Sequence, residues 1–141
     1  MMRPMVHFSL VLGCVLLGTA CKQEPAPKAL DFATEVRPIL ESRCINCHHS
    51  GALFGDLNLE NRAAAFRQRP AGPVIVPNAA ESSRLYLVLT LPEGDRKAMP
   101  PTGHRIPANE MEIIKRWISE GAAWPEGRDG SIKPSVAISP R

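Results

Sequence analysis

The sequence predicts a small all-α domain of three to five short helices around one core. Three observations carry that expectation. The chain has 141 residues, room for one domain with a tail at each end. Two of its segments, 31–43 and 108–120, place apolar residues at helical spacing. Aromatics make up only 5% of the chain and prolines number 14. A domain this small buries only about 60–70% of its unfolded surface, so a bulky apolar cofactor would help to fill its core.

Taken in order, the chain begins with Met1-Met2-Arg3, a mostly apolar run from Phe8 to Leu17, and Gly18-Thr19-Ala20-Cys21. The run is too short to span a bilayer and suits the apolar region of a signal peptide, here residues 1–20. A buried helix is the competing reading, but the basic residue in front and the small-residue exit behind favour export. Small residues before a cysteine resemble a bacterial lipobox, which would make Cys21 the lipidated first residue. Gly18 stands where such motifs prefer Leu, and Leu17 lies one step earlier. Val11-Leu12-Gly13-Cys14 fits the local pattern better, yet cleavage there would leave a very short signal and an apolar new terminus. Residues 21–30, rich in proline and charge, then read as an extended tether.

The domain is expected over residues 31–125. Asp31 is a plausible N-cap for a helix whose apolar face is Phe32, Val36, Ile39 and Leu40, with Pro38 bending it or delaying its regular start to about Val36. Asn61 can cap a short helix over 62–67, and Ser82 or Ser83 one that carries Leu85, Val88 and Leu89. Between them lies a proline-rich loop, 70–77, whose Val74-Ile75-Val76 could pack on the surface or cover a cofactor edge. Over 108–120, Met111, Ile113, Ile114, Trp117 and Ile118 occupy one side, and Gly121 suits a C-terminal cap. Trp117 is expected to pack this helix on the first. Residues 126–141, polar and aperiodic, read as a disordered tail.

Formal net charge is +3, too mild for nucleic acid, and no Lys/Arg run forms a basic stripe. Loss of residues 1–20, with Arg3, would take one charge away.

Of the four cysteines, Cys14 falls in the signal and Cys21 at the acylation site, leaving Cys44 and Cys47. They sit in Cys44-Ile45-Asn46-Cys47-His48, the C-x-x-C-H signature of haem c attachment. Each thiol adds to one haem vinyl group while the adjacent imidazole is drawn under the iron. Three readings compete: a thioredoxin-like redox pair, which would follow a strand rather than a helix; a zinc site completed by His104 or His49, for which no second pair at finger spacing exists; and a plain disulfide, which leaves His48 unexplained.

An electron-transfer haem needs a sixth ligand, commonly the soft thioether of Met. Outside the signal only Met99 and Met111 remain, and Met111 belongs to a helix face. Met99 lies in Ala98-Met99-Pro100-Pro101, a loop stiffened by its prolines. His104, on the same loop, is the rival. His49 is too close to His48 to reach the other haem face and is expected to be an exposed surface residue.

With these segments in view, the chain resembles the small cytochrome c domains of planctomycetes, a class-I-like family. The resemblance runs over about residues 32–125, through Val36-Arg37-Pro38-Ile39-Leu40, the C-x-x-C-H string, Gly55-Asp56-Leu57-Asn58-Leu59, Val76-Pro77-Asn78, Ser83-Arg84-Leu85, Met99-Pro100-Pro101, and Trp117-Ile118 with Gly121-Ala122. It implies an all-α cytochrome c fold around one covalent haem, with His48 and Met99 as axial ligands. Two places depart from the family pattern: His49 where glycine is frequent, and a proline or alanine in place of the polar cap before the last helix. The implied work is single-electron relay between periplasmic redox proteins, at a membrane through the lipid at Cys21, and not substrate turnover. The alternative is a haem sensor or peroxidase-like protein with a labile sixth ligand.

Overall fold

The computed structural model describes residues 28–101, 103 and 105–134. The expected signal peptide, Cys14, Cys21, most of the tether and His104 lie outside the described residues.

Asp31 caps the first helical segment, its carboxylate accepting from the backbone N–H of Thr34 at 2.9 Å. Residues Phe32–Val36 form a widened π-type turn that runs into α1 (Arg37–Arg43). Pro38 explains the widening. It has no N–H to give the carbonyl of Thr34, but it is tolerated in the first turn of α1, where that donor would be free in any case. Past α1 the chain keeps turning: the N–H of Cys44 and that of Ile45 both reach the carbonyl of Leu40, and the N–H of His48 reaches that of Cys44 at 3.1 Å. Ile45, fully buried, pins this turn to the core.

A two-residue hairpin follows, β1 (His48–His49) antiparallel to β2 (Ala52–Leu53), with His48 opposite Leu53. It is a small β addition to a fold whose other elements are helical. α2 (Arg62–Ala65) is shorter than its sequence suggested, but Asn61 caps it by accepting from Ala64 N–H at 2.9 Å. α3 (Arg84–Thr90) begins after Ser83, whose hydroxyl does not cap it. Ser83 is fully buried, and its oxygen instead accepts from Val76 N–H at 2.8 Å, tying the proline-rich loop to the start of α3.

α4 (Ala108–Ser119) starts at Pro107 without a side-chain cap. Its other end is closed as Gly121 suggested. The N–H of Ala122 bonds the Trp117 carbonyl at 2.8 Å and that of Gly121 bonds the Ile118 carbonyl at 3.1 Å, the paired pattern of a Schellman cap with glycine in the left-handed region, φ 103°. Trp117 packs on the first helical segment as expected, with its ring 6.1 Å from that of Phe32.

Two expectations are corrected. Of the expected tail over 126–141, residues 126–134 are described and stay packed on the domain, while 135–141 lie outside the described residues. Trp124 stacks 4.7 Å from Phe32, its indole N–H donates to the Gly130 carbonyl at 2.7 Å, and Ile132, almost fully buried, donates its N–H to Glu60 at 2.8 Å. One buried aliphatic residue in a polar stretch is enough to hold the segment. His49 is likewise not a surface residue. It is 8% exposed, because in the hairpin it points to the face opposite His48 and its Nδ1 accepts from Gly51 N–H at 3.1 Å.

Candidate haem site

α1 delivers Cys44 at its C-terminus, the turn delivers Cys47, and β1 delivers His48. These three line a cavity of about 550 Å³, within the range of about 300–1,000 Å³ typical of small-molecule and cofactor sites. α3 supplies Leu85, Val88 and Leu89 to the same cavity, spaced three and four residues apart so that they share one face. Leu57, Leu59, Val74 and Ile106 complete a largely apolar wall. The proline-rich loop therefore does cover the cavity, through Val74. Met99, Pro100 and Pro101 close it from the loop before α4, and the backbone N–H of Met99 is held by the Val88 carbonyl at 2.9 Å. Thus Cys44, Cys47, His48 and Met99 meet at one cavity, although Met99 is far from the other three in sequence. His104 lies outside the described residues, and Met111 stays with the core at α4.

The His48 ring is oriented by its neighbours. Its Nδ1 lies 2.9 Å from the carbonyl oxygen of Phe54, and a carbonyl only accepts, so Nδ1 carries the proton and Nε2 keeps a bare lone pair. Burial holds the ring's pKa below the ordinary imidazole value and outweighs the opposing pull of the Phe54 carbonyl. The neutral form, the one that ligates metal, is favoured. Burial also pushes the Cys44 thiol up to about 12, so it sits uncharged in the apolar wall. Arg43, at the rim, is neutralised by Glu110 of α4 through two hydrogen bonds of 2.9 Å.

These residues fit a haem. Two thiols stand on one turn beside an imidazole with a free nitrogen, a thioether lines the same cavity, and the walls between are hydrocarbon. Phe54 was not singled out from sequence, and Arg84 was named only within the Ser83-Arg84-Leu85 segment, with no place at the site. The part Phe54 plays is its backbone carbonyl, which leaves no mark in the residue pattern, and Arg84 differs from other surface arginines only by its place at the cavity.

Short helices closed over an apolar cavity that opens on a Cys-x-x-Cys-His turn define a small cytochrome c domain. Residues 44–103 match the family model described as Planctomycete cytochrome C, and this part of the chain is a planctomycete-type cytochrome c domain. Cytochrome c membership implies haem as cofactor. No curated protein matches the chain. Among solved structures it is similar to a chain of Kuenenia stuttgartiensis hydrazine synthase at 20% identity and a TM-score of 0.49, over 74% of this chain and 18% of that one. The chain thus spans less than a fifth of that structure's length.

Proposed function

We propose that this chain is an exported monohaem electron carrier, with haem bonded through Cys44 and Cys47 and iron held between His48 and Met99. The observation that supports it most is the shared cavity: the chain folds so that a soft sulfur from a distant loop faces the same apolar space as the attachment turn. When bound, haem supplies the reversible one-electron couple of its iron. The residues here do the rest. The Phe54 carbonyl fixes the His48 tautomer and ring direction, the part such partners play for ligating histidines elsewhere. Val88 positions Met99 through its backbone, so the thioether is presented without first having to be ordered. Leu85 and Leu89 of α3 give the cavity a hydrocarbon wall, which keeps reorganisation small when charge changes.

Export, a lipid at Cys21 and exchange with periplasmic redox proteins belong to the same reading, supported by the N-terminal sequence. Among the described residues no helix is long and apolar enough to cross a membrane. An anchor at Cys21 would serve through burial of acyl chains, about 0.8 kcal/mol per CH₂.

The test is expression with haem-maturation machinery, followed by mass spectrometry of the denatured chain and oxidised and reduced absorption spectra. One haem mass on the polypeptide, lost in the double variant Cys44→Ala, Cys47→Ala, is the expected result. A haem-free protein that carries zinc would refute the reading. Mass spectrometry of the mature N-terminus tests the anchor, with acyl mass expected on Cys21.

A further inference from the structure

The chain enters the domain at a fixed point. The carbonyl of Lys28 accepts from the Arg116 guanidinium, the backbone N–H of Leu30 donates to the Glu120 carboxylate at 2.9 Å, and Arg116 and Glu120 are themselves an ion pair. Leu30 is buried and belongs to the core. Two side chains at the C-terminal end of α4 thus grip the entering backbone, one through a carbonyl and one through an N–H. A grip on backbone groups does not depend on which side chains the gripped segment carries, so it leaves no mark in the residue pattern of that segment.

The grip lies at one end of the molecule and the cavity towards the other. α1 and its π-type entry run antiparallel to α4: Leu30 meets Glu120, the Phe32 ring lies 6.1 Å from that of Trp117, and Arg43 meets Glu110. Arg43 and Cys44, where α1 ends, line the cavity, and so does Ile106, just ahead of α4. The ten residues from Glu110 to Glu120 correspond to about 15 Å along a helix. Phe54, exposed and apolar, stands at the cavity with exposed Leu53 beside it, whereas Lys28, Arg116 and Glu120 give the gripped end a polar face.

Resting on the lipid anchor at Cys21 and the haem reading above, we propose that the end of the domain at Lys28, Arg116 and Glu120 is its membrane-facing pole, and that the grip on residues 28–30 keeps the cofactor cavity off the lipid. From Cys21 to Lys28 the chain advances seven residues, at most about 25 Å even if fully extended. A domain of about 100 residues has a radius of gyration of about 13 Å, so it is roughly 34 Å across. A tether shorter than the domain cannot pass round it, and the cavity end cannot turn down onto the bilayer. Without the grip the chain would be held only from Asp31 on, and its reach would grow by about 11 Å to about 36 Å, enough for the domain to invert. The surface that suits this pole is a layer of lipid headgroups, which its charged groups meet without being buried. A redox partner then reaches the cavity from the aqueous side.

The test uses the acylated holoprotein on vesicles of phosphatidylethanolamine and phosphatidylglycerol with a fluorophore on a fraction of the headgroups, the haem acting as quencher. Quenching per bound protein reports how near the haem comes to the bilayer. Arg116→Ala with Glu120→Ala, which opens the grip, should raise it about twofold or more, because the haem gains about 11 Å of approach. Lengthening the tether by about twelve Gly/Ser residues between Cys21 and Lys28 should raise it at least as much, and this variant leaves the domain untouched if the double variant does not fold. Quenching by the wild-type chain as strong as that of either variant, or strong wild-type quenching that Phe54→Ser relieves, would overturn the proposal with the anchor and the haem intact. Absence of acyl mass on Cys21, or of haem mass on the chain, would instead remove the reading on which it rests.

Discussion

Met99 is held by its backbone and by partial packing on the core, so its side chain can be changed at modest cost. Met99→Ala should cost less than about 2 kcal/mol, below the range for fully buried methionine. It should also abolish the near-infrared charge-transfer band of sulfur bonded to iron and open the iron to CO. If His104→Ala has those effects and Met99→Ala does not, His104 is the ligand. Glu60 makes a prediction of its own. Its carboxylate accepts from Ser50 N–H at 3.0 Å, Ser50 hydroxyl at 3.1 Å and Asn58 amide at 2.9 Å. Burial pushes its pKa up, but these bonds outweigh burial and hold it below the ordinary 4.5. A carboxylate whose folded pKa is depressed contributes stability that is complete above its unfolded value and is lost as pH falls through the folded one. Glu60→Gln should therefore lower the melting temperature at about pH 7, and the difference from the wild-type chain should shrink as pH falls below the ordinary carboxylate range.

At the scale of elements, two glycines are required for different reasons. Gly121 closes α4 with φ 103°, a conformation that strains any residue with a Cβ, and Gly121→Ala should cost about 1 kcal/mol or more. Gly130 has an ordinary φ, but a Cβ there would lie 1.7 Å from the Pro125 carbonyl oxygen. Gly130→Ala must push the 125–130 turn open and weaken the bond from the Trp124 indole, a loss of about 1–3 kcal/mol as for other overpacked sites. Thermal unfolding of the two variants measures both. α1 with its π-type entry is a third case: Pro38 belongs there because the first turn needs no donor from it.

For the whole molecule, residues 126–134 are part of the domain. Phe32, Trp117 and Trp124 pack as one aromatic group, with Trp117 and Trp124 5.9 Å apart, and Ile132 seals the end of it by its bond to Glu60. Truncation before residue 126 removes Ile132 and the acceptor of the Trp124 indole together. Ile132→Ala alone should cost about 2–5 kcal/mol, the range for buried isoleucine, and truncation more than that. A chain that melts at the same temperature after truncation would place the domain boundary at 125.

What the sequence by itself determined was whatever depends on neighbours along the chain. Asp31 and Asn61 cap helices because an Asx oxygen reaches an N–H three residues on. Gly121 ends one because only local φ decides it, and the C-x-x-C-H turn follows α1 because five consecutive residues encode it. The tertiary structure alone decided what depends on distant parts meeting. It brought Met99 to the cavity of His48, turned His49 inward, buried Ile132 under a polar-looking tail, and enclosed Arg69 with two donors idle. Burial is a property of the assembled core, summed over contacts from many segments, and no local pattern around an arginine or a histidine records which side of that core it will face.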